Sequence, residues 1–243
     1  MQLSFKLEAS EPFSLPLQYN HLVQGFIYEA IDPELSTFLH GEGYIVDGRP
    51  FRMFVFSRLL GNFRIDSAAQ IITFGPQVTL WIASPLENFC LSMIRNIVRR
   101  RDLHLGNHIL RGLTFSSLTP KVSSGSIVVF TRSPITVYST LLRPDGRKYT
   151  VYFQPGDPDY DRLITENLLR KYSALNHRAP PEGQVSVRAL SRIKRNIVIY
   201  KGFIIKGYSG KLRLEGPPEL LQMALDAGLG AKSSQGFGFV QMR

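Results

Sequence analysis

The chain has 243 residues, 44% of them hydrophobic, enough for one large domain or two of about 120 residues. Lysine and arginine number 29 against 19 acidic residues, and the resulting +10 points to a polyanionic partner, nucleic acid ahead of an anionic membrane face. The single cysteine, Cys90, excludes internal disulfides and multi-cysteine metal sites and fits a reducing cytoplasm, and no apolar run approaches the ~18–20 residues of a membrane helix.

Met1 leads straight into an alternating, strand-like pattern, "MQLSFKLE", rather than a signal peptide. From Tyr19 to Ile31 the spacing turns helical, with Leu22, Val23, Phe26, Ile27, Ala30 and Ile31 in one apolar stripe. A short second helix follows, with Asp32 as N-cap, Pro33 at the first helical position and Gly41 as the stop. Phe51 to Leu60, Ile71 to Phe74 and Val78 to Ala83 have the β-branched and aromatic content of strands. A helix is expected from Ser84, with Leu86, Phe89, Cys90, Met93, Ile94 and Ile97 facing inward, and Leu103 to Leu118 returns to strand.

A second round begins near Lys121. "GSIVVFTRSPITVYS" and "KYTVYFQP" read as strands, and a helix follows with Asp157 as its cap and Pro158 next. Residues 184 to 216 form a long, basic, hairpin-rich region. A helix then starts at Pro217 or Pro218 and stops at Gly228, and "FGFVQM" is the last strand. Each half reads β, α, β, β, α, β. That order predicts an α+β fold of two tandem ferredoxin-like domains, each an antiparallel sheet with helices on one face, over residues 1–120 and 121–243.

The last turn before the final strand, "GLGAKSSQGFGFV", is not a nucleotide loop. Counting back from Lys232, Ala231 and Asp226 stand where a P-loop needs glycines, and a dinucleotide fingerprint would need a third glycine at Ser233 or Gln241. What remains is two Gly-x-Gly pairs, Gly228 with Gly230 and Gly236 with Gly238, around Lys232, Ser233, Ser234 and Gln235. Glycines let a backbone come close to a ligand, so N–H groups can meet phosphate oxygens while the polar tip adds charge and donors. A helix stop followed by a bulged edge strand is the plainer alternative. Upstream, Arg192, Lys194, Arg195 and Lys201 are interleaved with Tyr200, Phe203 and Tyr208, a composition suited to RNA phosphates and base stacking. Arg95 to Arg101 make a second basic run at a helix end. His104 and His108 flank a Gly-Asn turn and lack the glutamate of the zinc helix motif, so they are not read as metal ligands.

The glycine loop resembles the C-terminal motif of the repeat-associated RNA-binding Cas proteins. "YNHLVQGFIYEAIDPELSTFLH", Tyr19 to His40, is similar to the first helices of the CRISPR repeat-RNA endoribonucleases, the Cas six family. Together the two blocks make the resemblance span essentially the whole chain. It implies metal-independent cleavage of CRISPR precursor RNA within each repeat, leaving a 2′,3′-cyclic phosphate and a 5′-hydroxyl, with no cofactor. One branch uses a tyrosine in the first helix, a histidine ending the second and a lysine opening the next strand. Matching positions gives Tyr28, His40 and, at the lysine's place, Arg52. A guanidinium does not readily lose a proton, so Arg52 is suited to steadying a phosphorane and poorly suited to being a general base. Tyr28 falls on the helix face of His21, Gln24 and Gly25, away from the apolar stripe, and His40 sits where a helix end favours imidazolium. The implied partners are CRISPR repeat RNA, other Cas proteins of an interference complex and a second copy of the chain. The rival reading with the same fold is a non-catalytic RNA-binding subunit of a CRISPR ribonucleoprotein.

Overall fold

Alternation places Leu3, Phe5 and Leu7 of β1 (Gln2–Glu8) on one buried face, and this strand becomes the centre of the first sheet. The structure, a computed structural model, describes residues 1–100 and 102–242, so Arg101 of the second basic run lies outside the described residues. After β2 (Phe13–Pro16), helix α1 (Asn20–Ala30) buries Val23, Phe26, Ile27 and Ala30, as the stripe predicts. Helix α2 (Pro33–His40) starts at the expected proline. Asp32 takes the N-cap position without capping, because its carboxylate is held by Arg95 and Asn96 of the helix α3 (Glu87–Arg99).

Between α2 and α3 run β3 (Tyr44–Val46), β4 (Arg49–Phe51), β5 (Val55–Phe56), β6 (Phe63–Asp66), β7 (Ile71–Phe74) and β8 (Gln77–Ala83). The strand expected over Phe51 to Leu60 is thus reduced to a two-residue core. Met53 adopts φ 52°, and Arg52 turns aside to bind the end of α2. Helix α3 begins three residues after Ser84, since the Ser84 hydroxyl accepts the Leu86 N–H (3.1 Å) and donates to the Met53 carbonyl (2.7 Å). β9 (Leu103–Leu105) and β10 (His108–Leu118) complete the half, joined by the expected Gly-Asn turn. The sheet runs β5-β8-β1-β10-β9.

The second half repeats this plan. β11 (Ser126–Thr131) leads to the hairpin β12 (Val137–Leu142) and β13 (Lys148–Phe153), then α4 (Tyr160–Asn176). Asp159, not Asp157, holds the N-cap position, because the Asp157 carboxylate accepts the Gln154 N–H (2.8 Å) and closes the preceding turn. β14 (Ser186–Ala189), the hairpin β15 (Lys194–Tyr200) and β16 (Phe203–Ser209), β17 (Lys211–Glu215), α5 (Pro218–Ala227) and β18 (Val240–Met242) follow. β18 is shorter than expected, since Gly236 and Gly238 at φ 84° and 82° keep the chain out of the sheet until Val240. The sheet order is β14-β17-β11-β18.

In chain order the strands of each βαββαβ unit are β1, β5, β8, β10 and β11, β14, β17, β18. Both sheets place the first strand between the third and the fourth, with the second outside the third, and every pairing is antiparallel. The protein is therefore two tandem ferredoxin-like units of mixed α+β structure. They meet through β1, α5 and β18. The Met1 ammonium pairs with Asp226 at 2.8 Å, Gln2 donates to the carbonyls of Leu225 (3.0 Å) and Val240 (3.1 Å), and Phe239 packs on Val55 and Ala83.

Candidate active site and nucleic-acid interface

Residues Asn20, Gln24 and Tyr28 recur every four positions, so α1 presents them in one row. Asn20 donates to the Gln235 carbonyl (2.8 Å) and Gln24 to the Ser234 carbonyl (2.7 Å), while the Tyr200 hydroxyl donates to Gln24 Oε1. The first helix thus holds the tip of the C-terminal glycine loop and the basic hairpin β15–β16. Its third member, Tyr28, is half-buried, edge-on to Phe54 at 5.6 Å between centroids and to His40 at 5.3 Å. Burial raises the Tyr28 phenol above its ordinary pKa, and the nearby Arg52 guanidinium only partly opposes this. At neutral pH the phenol is a hydrogen-bond donor.

His40 is exposed at the last position of α2. Arg52 closes that helix, donating to the carbonyls of His40 (3.1 Å), Gly41 (3.0 Å) and Glu42 (2.7 Å). These carbonyls have no intrahelical partner, and a cation at this end of the helix is favoured by the dipole. The three residues matched from sequence therefore converge: ring against ring, with the guanidinium bracing the turn that carries the imidazole.

Arg52 also lines a cleft of about 740 Å³ between the two units. From the first unit come Arg49 and Arg52; from the second come Tyr138, Arg162, Arg170, Lys171 and the loop residues 230–235. Among the described residues, the one carboxylate on its wall, Glu166, is paired with Arg162 (2.6 Å) and Arg170 (3.4 Å), which leaves the cleft cationic. Lys232 sits at φ 60° with its ammonium 5.3 Å from the Tyr138 ring centroid, and loss of solvent lowers its pKa. Among the described residues, the N–H groups of Lys232, Ser233 and Ser234 donate to no backbone carbonyl, and all three half-buried residues line the cleft.

The glycines themselves are buried. A β-carbon on Gly228 would come within 2.9 Å of Val55 and of the Ser233 hydroxyl, one on Gly230 within 2.6 Å of the Thr136 carbonyl, and one on Gly236 within 2.7 Å of the Phe56 ring. On Gly238 it would collide with the Leu229 carbonyl. The sequence reading has the glycines bring the backbone to a ligand; in the structure the space beside each is filled by protein, and it is the half-buried polar tip Lys232–Gln235 that lines the cleft. Arg192, Lys194, Arg195 and Lys201 are exposed but none lines the cleft; Lys201 forms the β15–β16 turn with Gly202, both at positive φ. That hairpin reaches the first unit, Ile199 N–H donating to Gln18 (2.9 Å) and Arg58 to Asn196 (3.0 Å).

His21 lies against the Gln18 carbonyl, His104 against Glu29 (3.1 Å) and His108 against the Ser14 carbonyl (2.9 Å). No described helix is long and apolar enough to cross a membrane. Sequence reasoning missed Lys171, which is buried and donates to the carbonyls of Ala227 (3.2 Å), Gly228 (2.6 Å) and Gly230 (2.9 Å) and to the Ser233 hydroxyl (3.0 Å). The signal was present: Ile164, Leu168 and Lys171 fall at i, i+4 and i+7, so a lysine stands on the apolar stripe.

Tandem ferredoxin-like units clasping a cationic cleft, with the C-terminal glycine loop at its wall, define the class of this protein. The family described as CRISPR associated protein Cas6, C-terminal, matches residues 118–242, which is more than half of the chain. The chain belongs to the Cas6 family. It is 25% identical to a CRISPR-associated endoribonuclease Cas6 of Pyrococcus furiosus, over 95% of this chain and 84% of that one. Identity is also 25% to CRISPR-associated endoribonuclease Cas6 2 of Methanocaldococcus jannaschii, over 99% and 98%. Among solved structures, one titled an RAMP protein binding different RNA substrates superposes with a TM-score of 0.81 at 20% identity, covering 100% of this chain and 99% of that one.

Proposed function

We propose that the protein is a CRISPR-associated endoribonuclease that cuts precursor RNA within its repeats without a metal ion. The relatives named as endoribonucleases support the enzyme class, and the basic cleft supports an RNA ligand. The observation that carries the mechanism is the convergence of Tyr28 and His40, ring against ring, with Arg52, which braces the His40 turn and alone of the three lines that cleft. Residues 1–120 and 121–243 are the two functional parts, the first supplying these three side chains and the second the loop Lys232–Gln235. Gly228, Gly230, Gly236 and Gly238 fix that loop's shape, and the exposed Arg192, Lys194, Arg195 and Lys201 serve RNA lying outside the cleft.

In this reading the 2′-hydroxyl beside the scissile phosphate attacks phosphorus and loses its proton to solvent. The P–O5′ bond breaks as the new P–O2′ bond forms, giving the 2′,3′-cyclic phosphate. His40, exposed on a helix C-terminus, protonates the departing 5′-oxygen. Tyr28 donates a hydrogen bond to a non-bridging oxygen, and the Arg52 guanidinium offsets the charge gathering on the phosphorane. Arg52 does this while bound to the turn that holds His40, so one cation both braces the acid and faces the phosphate.

His40→Ala should slow single-turnover cleavage by about 10²-fold or more, the usual scale for a positioned acid, with RNA affinity little changed. Cleavage at the wild-type rate would remove His40 from the mechanism. Tight, repeat-selective binding by a wild-type protein that never cuts would instead identify a non-catalytic RNA-binding subunit.

A further inference from the structure

We propose that Lys171 is a positioning residue for RNA, its buried ammonium gathering the glycine loop so that the Lys232–Gln235 tip faces the cleft. This rests on the RNA-binding reading above. Lys171 is 3% exposed, and the four hydrogen bonds of its ammonium go to the loop and to the end of α5. Ala227 is the last residue of α5, so its carbonyl and that of Gly228 are orphans at the negative end of a helix dipole. The Gly230 carbonyl and Ser233 hydroxyl belong to the loop's two sides. One cation therefore ties the helix end to both flanks of the turn, and it points their oxygens inward. Among the described residues, the N–H groups of Lys232, Ser233 and Ser234, which line the cleft, are left without a backbone acceptor.

The choice of a charge for this position is costly for the fold alone. A buried ammonium loses its hydration, and its four hydrogen bonds to neutral oxygens satisfy those acceptors without supplying a counter-charge. Among the described residues no carboxylate pairs with Lys171. The charged groups around it are Arg170 on its own helix, bound to Glu166 and Asp47, Lys232 from the loop, and Arg49, Arg52 and Arg162 on the cleft walls. All but the paired carboxylates are cationic. A phosphate entering the cleft is thus the missing counter-charge, and Lys171 lines that cleft.

Linkage gives a signature that simple packing lacks. Burial pulls the Lys171 ammonium down to about 7. A nearby phosphate favours the charged form and raises that value, so binding takes up a proton. Affinity should then be level below about pH 7 and fall as pH rises above it. Neutral Lys171→Met has no such proton to take up.

The test compares full-length His40→Ala protein, which leaves the RNA uncut, with the same protein carrying Lys171→Met or Ser233→Ala. The probe is a fluorescent RNA of one repeat from the host's CRISPR array, titrated by anisotropy from pH 6 to 9, with melting curves alongside. Lys171→Met is expected to weaken binding about tenfold or more at pH 6.5, with a pH profile flatter than its parent's. His40 is absent from both proteins, so it contributes nothing to the difference. Ser233→Ala, which removes one of the four oxygens, should weaken binding a few-fold. If Lys171→Met fails to fold, the parent's pH profile and Ser233→Ala decide. Binding within twofold of the parent by the folded Lys171→Met overturns the inference. So does a parent profile flat from pH 6 to 9, or, where Lys171→Met does not fold, an unaltered Ser233→Ala. Absence of any RNA binding by the parent overturns the RNA-binding reading itself, a separate result.

Discussion

Replacing Gly236 with alanine tests how the glycine loop is built. Gly236 adopts φ 84°, where an L-residue is strained by about 1–2 kcal/mol. Its new β-carbon would stand 2.7 and 2.9 Å from two carbons of the Phe56 ring and 2.7 Å from Asn20 Nδ2. Phe56 is fully buried in β5 and cannot swing away, so overpacking adds about 1–3 kcal/mol. The sum, roughly 2–5 kcal/mol, corresponds to a fall in melting temperature of about 4–20 °C for a chain of this size. Gly48 is the control: it has φ 68° in the β3–β4 turn with nothing within 4 Å of an added β-carbon, so Gly48→Ala bears only the backbone term, about 1–2 kcal/mol. The assay is thermal melting by circular dichroism of both variants, with RNA binding measured well below the transition. If the glycines served only to bring the backbone to RNA, Gly236→Ala would spare the fold and hurt RNA binding. The packing predicts the reverse order, a clear loss of stability exceeding that of Gly48→Ala. A Gly236→Ala protein that melts with wild type would refute it.

Tyr28→Phe keeps the ring contacts with Phe54 and His40 and removes only the donor, so it should fold normally and cut roughly 10-fold more slowly, a milder loss than that of His40→Ala; an unchanged single-turnover rate would relieve the phenol of any role. RNA affinity should fall steeply with salt through counterion release, and Lys232→Ala should reduce the slope of log affinity against log salt by about one. An unaltered slope would place Lys232 off the phosphate backbone.

The two βαββαβ patterns were legible because periodicity reports burial, and burial in β1, α1, α3 and the C-terminal sheet follows it closely. Boundaries failed where a side chain was claimed by something distant. Asp32 was read as a cap and is taken by Arg95 from α3; Arg52 leaves the strand predicted around it to close α2. Tyr28, His40 and Arg52 were found through resemblance, and local spacing gives no hint that their rings and guanidinium meet. Nor could it show that Gln24 binds Ser234, a contact 210 positions apart that depends on both units folding. Lys171 lies on its helix's apolar stripe, but lysines rarely sit inside without a partner, and its partners are carbonyls that no residue name reveals.

The central claim is that side chains alone cut the RNA by way of its 2′-hydroxyl. The direct measurement is incubation of the protein with its host's repeat RNA in excess EDTA, the product ends being identified by mass, in parallel with RNA carrying a single 2′-deoxy substitution at the mapped cut. The account predicts one cut per repeat at an undiminished rate, a 2′,3′-cyclic phosphate on the upstream fragment, a 5′-hydroxyl on the downstream one, and no cleavage of the deoxy-substituted RNA. Cleavage that stops in EDTA and returns with added magnesium, or that proceeds through the deoxy site, would contradict it.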